Sequence, residues 1–288
     1  MVRLASTPSH ADECALVLTA AGIPNAVEPN DDGWAVVVAP DDTARADAVL
    51  AAWDDERRAE RAAAVAPEPP YPWMSGIALG LLVLWLFTVT GTPSPVSRWF
   101  QHGTAVAGRI TGGELWRAVT ALTLHVDIVH VVGNACALAV LLPPVAQRFG
   151  VGIALLLVLA AGGLGNMVAA LVHDPGHSGV GASTAAFAAI GILVAVRLGA
   201  SETPHGRKRW TAPVAGLLLV AFLSAAPRVD IAAHTFGFVA GLAVGAGAGG
   251  IVRRPPRALA QWLAGGLAAA VVALCWQLAL RSASIDGR

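Results

Sequence analysis

From residue 74 onward the chain reads as a series of apolar runs separated by short polar breaks, at 74–90, 126–142, 151–172, 180–198, 211–226, 231–251 and 259–280. Most approach the ~20 residues that a helix needs to cross a hydrocarbon core. They predict seven transmembrane helices, six close together and one C-terminal, with 211–226 the shortest. Residues 1–62 follow a different rhythm. Val2–Ala5, Ile23–Glu28 and Trp34–Val38 read as strands, the last two joined by an Asn30-Asp31-Asp32-Gly33 turn. His10–Ala21, stopped by Gly22, and Asp41–Arg61, opened by paired aspartates, read as helices. The pattern divides the chain into a small α/β domain (1–62), a Pro-rich linker (63–73), a helical membrane core (74–252) and a C-terminal transmembrane helix with its tail (253–288). A domain of about sixty residues makes only a marginal core, and it serves either as a docking or regulatory module or as a passive appendage.

Composition agrees with this division. Only 13% of residues are charged and 56% are hydrophobic, against about 25% charged in soluble domains. The formal net charge is zero and the longest basic block is Arg207-Lys208-Arg209, which argues against a nucleic-acid partner. Cys14, Cys136 and Cys275 are isolated and match no metal-binding spacing. No metal and no cofactor are expected. The polar N-terminus has no signal-peptide pattern, so the later spans are expected to drive insertion.

Charge also predicts orientation. With the N-terminus in the cytoplasm, Arg57, Arg58, Arg61, Arg148, Arg197, Arg207, Lys208, Arg209, Arg253, Arg254 and Arg257 fall inside, against Arg98, Arg109, Arg117, Arg228, Arg281 and Arg288 outside. The bias favours this topology. Trp73, Trp99, Trp210 and Trp262 lie near span ends as interfacial anchors do. The segment 91–125 then lies outside, with the composition of a loop resting in the outer leaflet. The Ala- and Arg-rich, Lys-poor composition points to the plasma membrane of a bacterium with GC-rich DNA.

Candidate chemistry emerges once the runs are oriented. Ser183 and His234 each sit four residues past the polar end of a run, at Gly179 and Asp230, or about 6 Å deep at 1.5 Å per residue. Both runs start on the outer side, so a nucleophile and a base share one level, where polar groups are expensive. Taken alone, Ser183 reads equally as a helix cap and His234 as a buried polar residue. Gly237, Gly241 and Gly245 recur every four residues and form a flat stripe for close helix packing. His130 and Asn134, four apart, share one helix face. Both can donate hydrogen bonds near the depth of Ser183, to an oxyanion or as an interhelical clamp. His125 reads as structural, and Asn166 as an interhelical hydrogen bond. The inner halves of the spans are otherwise almost wholly apolar, which argues against a transporter. No acidic residue is evident to orient His234, so the arrangement is a dyad rather than a triad.

Glu114-Leu115-Trp116-Arg117, His125 with His130 and Asn134, Gly181-Ala182-Ser183, and Ala233-His234 with Gly237 and Gly241 resemble the motifs of the rhomboid intramembrane serine proteases, in order, across roughly residues 75–250. The resemblance implies an all-α polytopic membrane protein, a rhomboid-like six-helix bundle with one added C-terminal helix and a small α/β domain before it. It implies that Ser183 is the nucleophile and His234 the base, and that His130, Asn134 and the Ser183 backbone N–H form the oxyanion hole. The expected partners are the lipid bilayer and transmembrane protein substrates, cleaved near the outer face. The expected cavity opens outward between spans two, four, five and six. The alternative is a catalytically inactive relative that binds membrane proteins. Phe187 takes the position where many members have a tyrosine against the histidine. Thr184 stands where the family usually has glycine, and a β-branched residue would be strained there if the position required positive φ.

Overall fold

The structure, a computed structural model, describes residues 2–65, 71–199, 230–252 and 254–286, with side-chain surroundings for all of these except 59–65 and 283–286. The chain divides into two compact units, Met1–Pro70 and Tyr71–Arg288. In the first, β1 (Arg3–Ala5), β2 (Asn25–Asn30) and β3 (Gly33–Val38) form an antiparallel sheet in the order β1-β3-β2. The helices α1 (Pro8–Ala20) and α2 (Thr43–Val65) complete it. Thr7 caps α1 by accepting from the His10 N–H. Cys14, Leu18, Ile23, Val36 and Leu50 are buried together as its core, and burial pushes the Cys14 thiol up.

The second unit is built on helices. Among the described residues, five are long and apolar enough to cross a membrane: α3 (Trp73–Thr90), α7 (Ile128–Phe149), α8 (Val151–Val172), α10 (Ile231–Ile251) and α11 (Ala258–Asp286, apolar over 258–282). A shorter apolar helix, α9, runs from Ser183 to Gly199. The span expected at 211–226 lies outside the described residues. Pro143 and Pro144 fall inside α7 without ending it, so this helix runs past the expected stop at 142 to Phe149.

Helix α9 packs on α10, and both pack on α8. The expected glycine stripe makes the α9–α10 contact. A Cβ at Gly237 would stand 2.5 Å from the Thr184 carbonyl oxygen, one at Gly241 2.1 Å from the Ala188 carbonyl oxygen, and one at Gly245 2.7 Å from the Ile192 Cα. The contacts advance by four residues on both helices together. The two helices therefore run parallel and begin at the same end, which sets Ser183 and His234 side by side. Helix α11 packs along α8. Its Gln261 donates to the Phe149 carbonyl oxygen at 2.9 Å and accepts from the Ile153 N–H at 3.1 Å, fastening the turn between α7 and α8.

The segment before α7 is folded rather than a simple loop. It forms α4 (Arg98–Gly103), β4 (Ala105–Val106), α5 (Ala107–Thr111), α6 (Arg117–Thr120) and a 3-10 turn at Ala121–Thr123. Strand β4 pairs antiparallel with β5 (Ser178–Gly179), so the segment is tied directly to the approach to Ser183. Arg117 is fully buried; its guanidinium donates to the Gln101 and Thr104 carbonyl oxygens at 3.0–3.1 Å and to Glu114.

Gly241→Ala tests the close approach. The added methyl would meet backbone, which cannot rotate away, so the variant should lose about 1–3 kcal/mol. Gly247→Ala, on the same helix with nothing within 4 Å of its Cβ position, should be neutral or up to about 1 kcal/mol stabilising. Thermal unfolding in detergent micelles compares the two; equal melting temperatures would refute the packing argument.

Candidate active site

Ser183 is the first residue of α9. The apolar run starts at Val180, but Gly181 at φ +131° keeps the chain out of the helix until Ser183. The serine is therefore the first residue of the helix rather than a turn inside it. The preceding backbone is held on both sides. The Gly181 N–H donates to the Ala121 carbonyl oxygen at 2.9 Å, and the Ala182 N–H donates to His125 Nε2 at 3.4 Å. His125 is fully buried. Burial, and the neighbouring His130, push its pKa down to about 4, which keeps the ring neutral and able to accept from an amide.

His234 lies in the first turn of α10. Asp230 caps that helix by accepting from the Ala233 N–H at 2.9 Å, and the His234 N–H closes the turn on the Asp230 carbonyl oxygen at 3.1 Å. His234 Nε2 lies 2.9 Å from Ser183 Oγ. The Phe187 ring, one turn along α9, rests against the imidazole with 4.2 Å between centroids and a 33° tilt.

His130 and Asn134 share a face of α7, whose N-terminus Asp127 caps by accepting from the His130 N–H at 2.8 Å. Both side chains converge on Gly181. A Cβ there would lie 2.7 Å from His130 Cε1 and Nε2 and 3.4 Å from Asn134 Nδ2, so this glycine is required by space as well as by φ. The Asn134 Nδ2 group is buried and has no hydrogen-bond partner among the described residues. An unpaired buried donor costs about 1–3 kcal/mol, so an amide held in this way is available to an incoming acceptor.

The position of Thr184 overturns the concern about strain. It is helical and buried, in the first turn of α9. Its methyl carbon fills the gap between two glycines, 3.0 Å from a Cβ position at Gly165 and 2.9 Å from one at Gly237. Asn166 Nδ2 donates to the Ala118 carbonyl oxygen at 2.8 Å, an interhelical bond as read from the sequence. A cleft reaches Ser183, lined among others by Asn166, His173, Gly179, Thr184 and Asp230. Its walls come from α5, α8, α9 and α10. Helix α7, expected to line it, contributes none of the lining residues; its His130 and Asn134 lie against Gly181, which does line the cleft.

One group of site residues was not foreseen. His173, His177 and Asp230 meet beside the cleft, with His173 Nε2 2.9 Å from Asp230 Oδ1 and His177 Nε2 2.8 Å from Oδ2. Burial would raise the Asp230 carboxyl, but the Ala233 N–H and both histidine side chains outweigh it and hold the pKa below the usual carboxylate value. The only signal in the sequence was a pair of histidines four apart just after a span; their partner lies more than fifty residues on.

A comparison with protein families now decides the lineage. The family model described as a rhomboid domain matches residues 112–250, the stretch that holds all of these groups. Residues 112–250 are a rhomboid domain. Among similar proteins, rhomboid protease GluP of Bacillus subtilis (strain 168) is 28% identical over 202 residues, 68% of this chain and 38% of that protein. The putative rhomboid protease YdcA of the same organism is 27% identical over 174 residues, 59% of this chain and 85% of that protein. Rhomboid-like protease 3 of Toxoplasma gondii is 33% identical over 145 residues, 49% of this chain and 55% of that protein. The chain thus spans well under half of the GluP relative and about half of the Toxoplasma one.

Within this rhomboid domain Thr184→Gly, which installs the family's usual residue, should destabilise rather than relieve strain. The loss of a buried side chain and the greater backbone freedom of glycine together predict about 1–2 kcal/mol. Thermal unfolding in detergent would show it; a rise in melting temperature would mean that Thr184 is strained after all.

Proposed function

We propose that this protein is an intramembrane serine endopeptidase that cleaves transmembrane segments of membrane proteins near the outer face. The observation that carries the reading is the 2.9 Å contact between His234 Nε2 and Ser183 Oγ, a separation at which a hydroxyl proton passes directly to the ring. Ser183 attacks the scissile carbonyl carbon while His234 Nε2 takes its proton. The carbonyl oxygen gathers negative charge and is received by donors already in place: the Ser183 N–H at the start of α9, Asn134 Nδ2 and His130. The imidazolium returns the proton to the leaving amine as the tetrahedral intermediate collapses. Water, activated by the same ring, then hydrolyses the acyl-enzyme and restores Ser183. Donors fixed before the reaction reorganise little as charge develops, and that is why they lower the barrier. The reading places the N-terminus in the cytoplasm, supported by the Arg distribution, and the protein in a bacterial plasma membrane, supported by the Ala- and Arg-rich, Lys-poor composition.

A fluorophosphonate probe tests the nucleophile. Folded protein should take up one label, and Ser183→Ala should abolish labelling and substrate cleavage together. Folded protein that resists a probe accepted by a control rhomboid protease would favour the inactive, substrate-binding alternative.

A mutant series tests the division of roles. His234→Ala should remove turnover almost completely. Asn134→Ala should lose less, at most about 2.7–4 kcal/mol of transition-state stabilisation, the range for one oxyanion donor. Cleavage rates for a transmembrane substrate measure both, and an Asn134 variant weaker than the His234 variant would overturn the assignment.

A further inference from the structure

We propose that His173, His177 and Asp230 form a binding site for one divalent transition-metal ion of the zinc class, beside the cleft that leads to Ser183. The three come from separate places: His173 directly follows α8, His177 precedes β5, and Asp230 caps α10. Their ligand atoms nevertheless lie within 4.8 Å of one another. Both Nε2 atoms converge on a single carboxylate, at 2.9 and 2.8 Å. The rings lie flat against each other, with centroids 3.6 Å apart and planes within 9°. One dication in front of the two rings and the carboxylate would be a common partner for all three groups.

The geometry is close to what such an ion needs. With metal–ligand bonds of about 2.1 Å, nitrogen–oxygen separations of 2.8–2.9 Å subtend about 85° at the ion. Small side-chain rotations would open this toward a tetrahedral angle. Two imidazoles and one carboxylate are a donor set that zinc accepts, with a position left for water. Magnesium and calcium prefer oxygen-only sites. The side chains are 20%, 36% and 23% exposed for His173, His177 and Asp230, so an ion reaches them from water. Once bound, it would join the end of α8 and the approach to β5 to the N-terminus of the helix that carries His234. The site stands on its own ligands and does not depend on the peptidase reading.

The test uses the full chain without an affinity tag, in detergent micelles, stripped with EDTA and titrated with zinc sulfate by calorimetry. One equivalent should bind and the melting temperature should rise, while magnesium sulfate should do neither. Asp230→Asn keeps a helix-capping side chain but removes the anionic ligand, and should weaken zinc binding at least about tenfold, since loss of even a group that only supports a ligand costs about that much. His173→Asn with His177→Asn should do the same, and His234→Ala should bind as the parent does. Melting of each variant without zinc checks its fold; should one fail, the milder His177→Asn change decides. No saturable uptake by the parent, or equal affinity in the folded ligand variants, would overturn the proposal.

Discussion

Two helix backbones must touch for this site to exist. Between α9 and α10 the contacts run from Thr184 to Gly237, Ala188 to Gly241 and Ile192 to Gly245, each too tight for a Cβ on the glycine side. Lipid supplies little hydrophobic drive between helices, so association rests on van der Waals contact and on the few polar bonds available. A stripe without side chains maximises the first. It also fixes the second, because parallel helices in contact from their first turns have their N-terminal residues at one level. Ser183 and His234 meet at 2.9 Å because the glycines along the helices let the two backbones close up from their first turns.

That packing positions the ends of the two helices but does not hold the chain leading into α9. A separate polar framework holds it. Arg117 ties α6 to the α4 end, Thr120 donates to the Gly103 carbonyl oxygen at 2.7 Å, and Asn166 ties α6 to α8. The Ala121 carbonyl oxygen and His125 then hold the Gly181 and Ala182 amides. Each bond nets only about 1 kcal/mol, but leaving its groups unpaired in a buried site would cost about 1–3 kcal/mol. The framework therefore works mainly by making alternatives expensive. Against it, the Asn134 amide nitrogen, like His125 Nδ1 and His130 Nδ1, is buried with no hydrogen-bond partner among the described residues.

Much of this was legible in the sequence, wherever the signal was periodic and local. Gly237, Gly241 and Gly245 announced a close contact, and His130 and Asn134 announced a shared face. Ser183 and His234 could be placed at one level from run boundaries alone. What the sequence hid was non-local or depended on one dihedral angle. The start of α9 moved to Ser183 because of Gly181, which periodicity ignores. Thr184 looked strained against a glycine habit, until Gly165 and Gly237 on two other helices proved to make room for its methyl. The segment 98–123 read as a loop because its helices are too short to show a period. Asp230 was visible as the end of a run, but its two histidine partners lie across the fold.

Asp230 also bears on why the proposed pair would need no third carboxylate. It stands four residues before His234, yet Oδ1 takes the Ala233 N–H and His173 while Oδ2 takes His177. The acid is committed to the helix mouth, as the cap one turn before the base. The imidazole is braced from the side by Phe187 at 4.2 Å. An aromatic contact contributes about 0.5–1.5 kcal/mol, less than the 1.5–3 kcal/mol typical of a hydrogen bond to a charged group. But a carboxylate taken down to the level of the ring would carry a desolvation penalty of several kcal/mol, and would lose the cap on α10. Near a bilayer, packing an apolar ring against the base is the less costly way to hold it, and it leaves the nearest carboxylate free to organise the entrance.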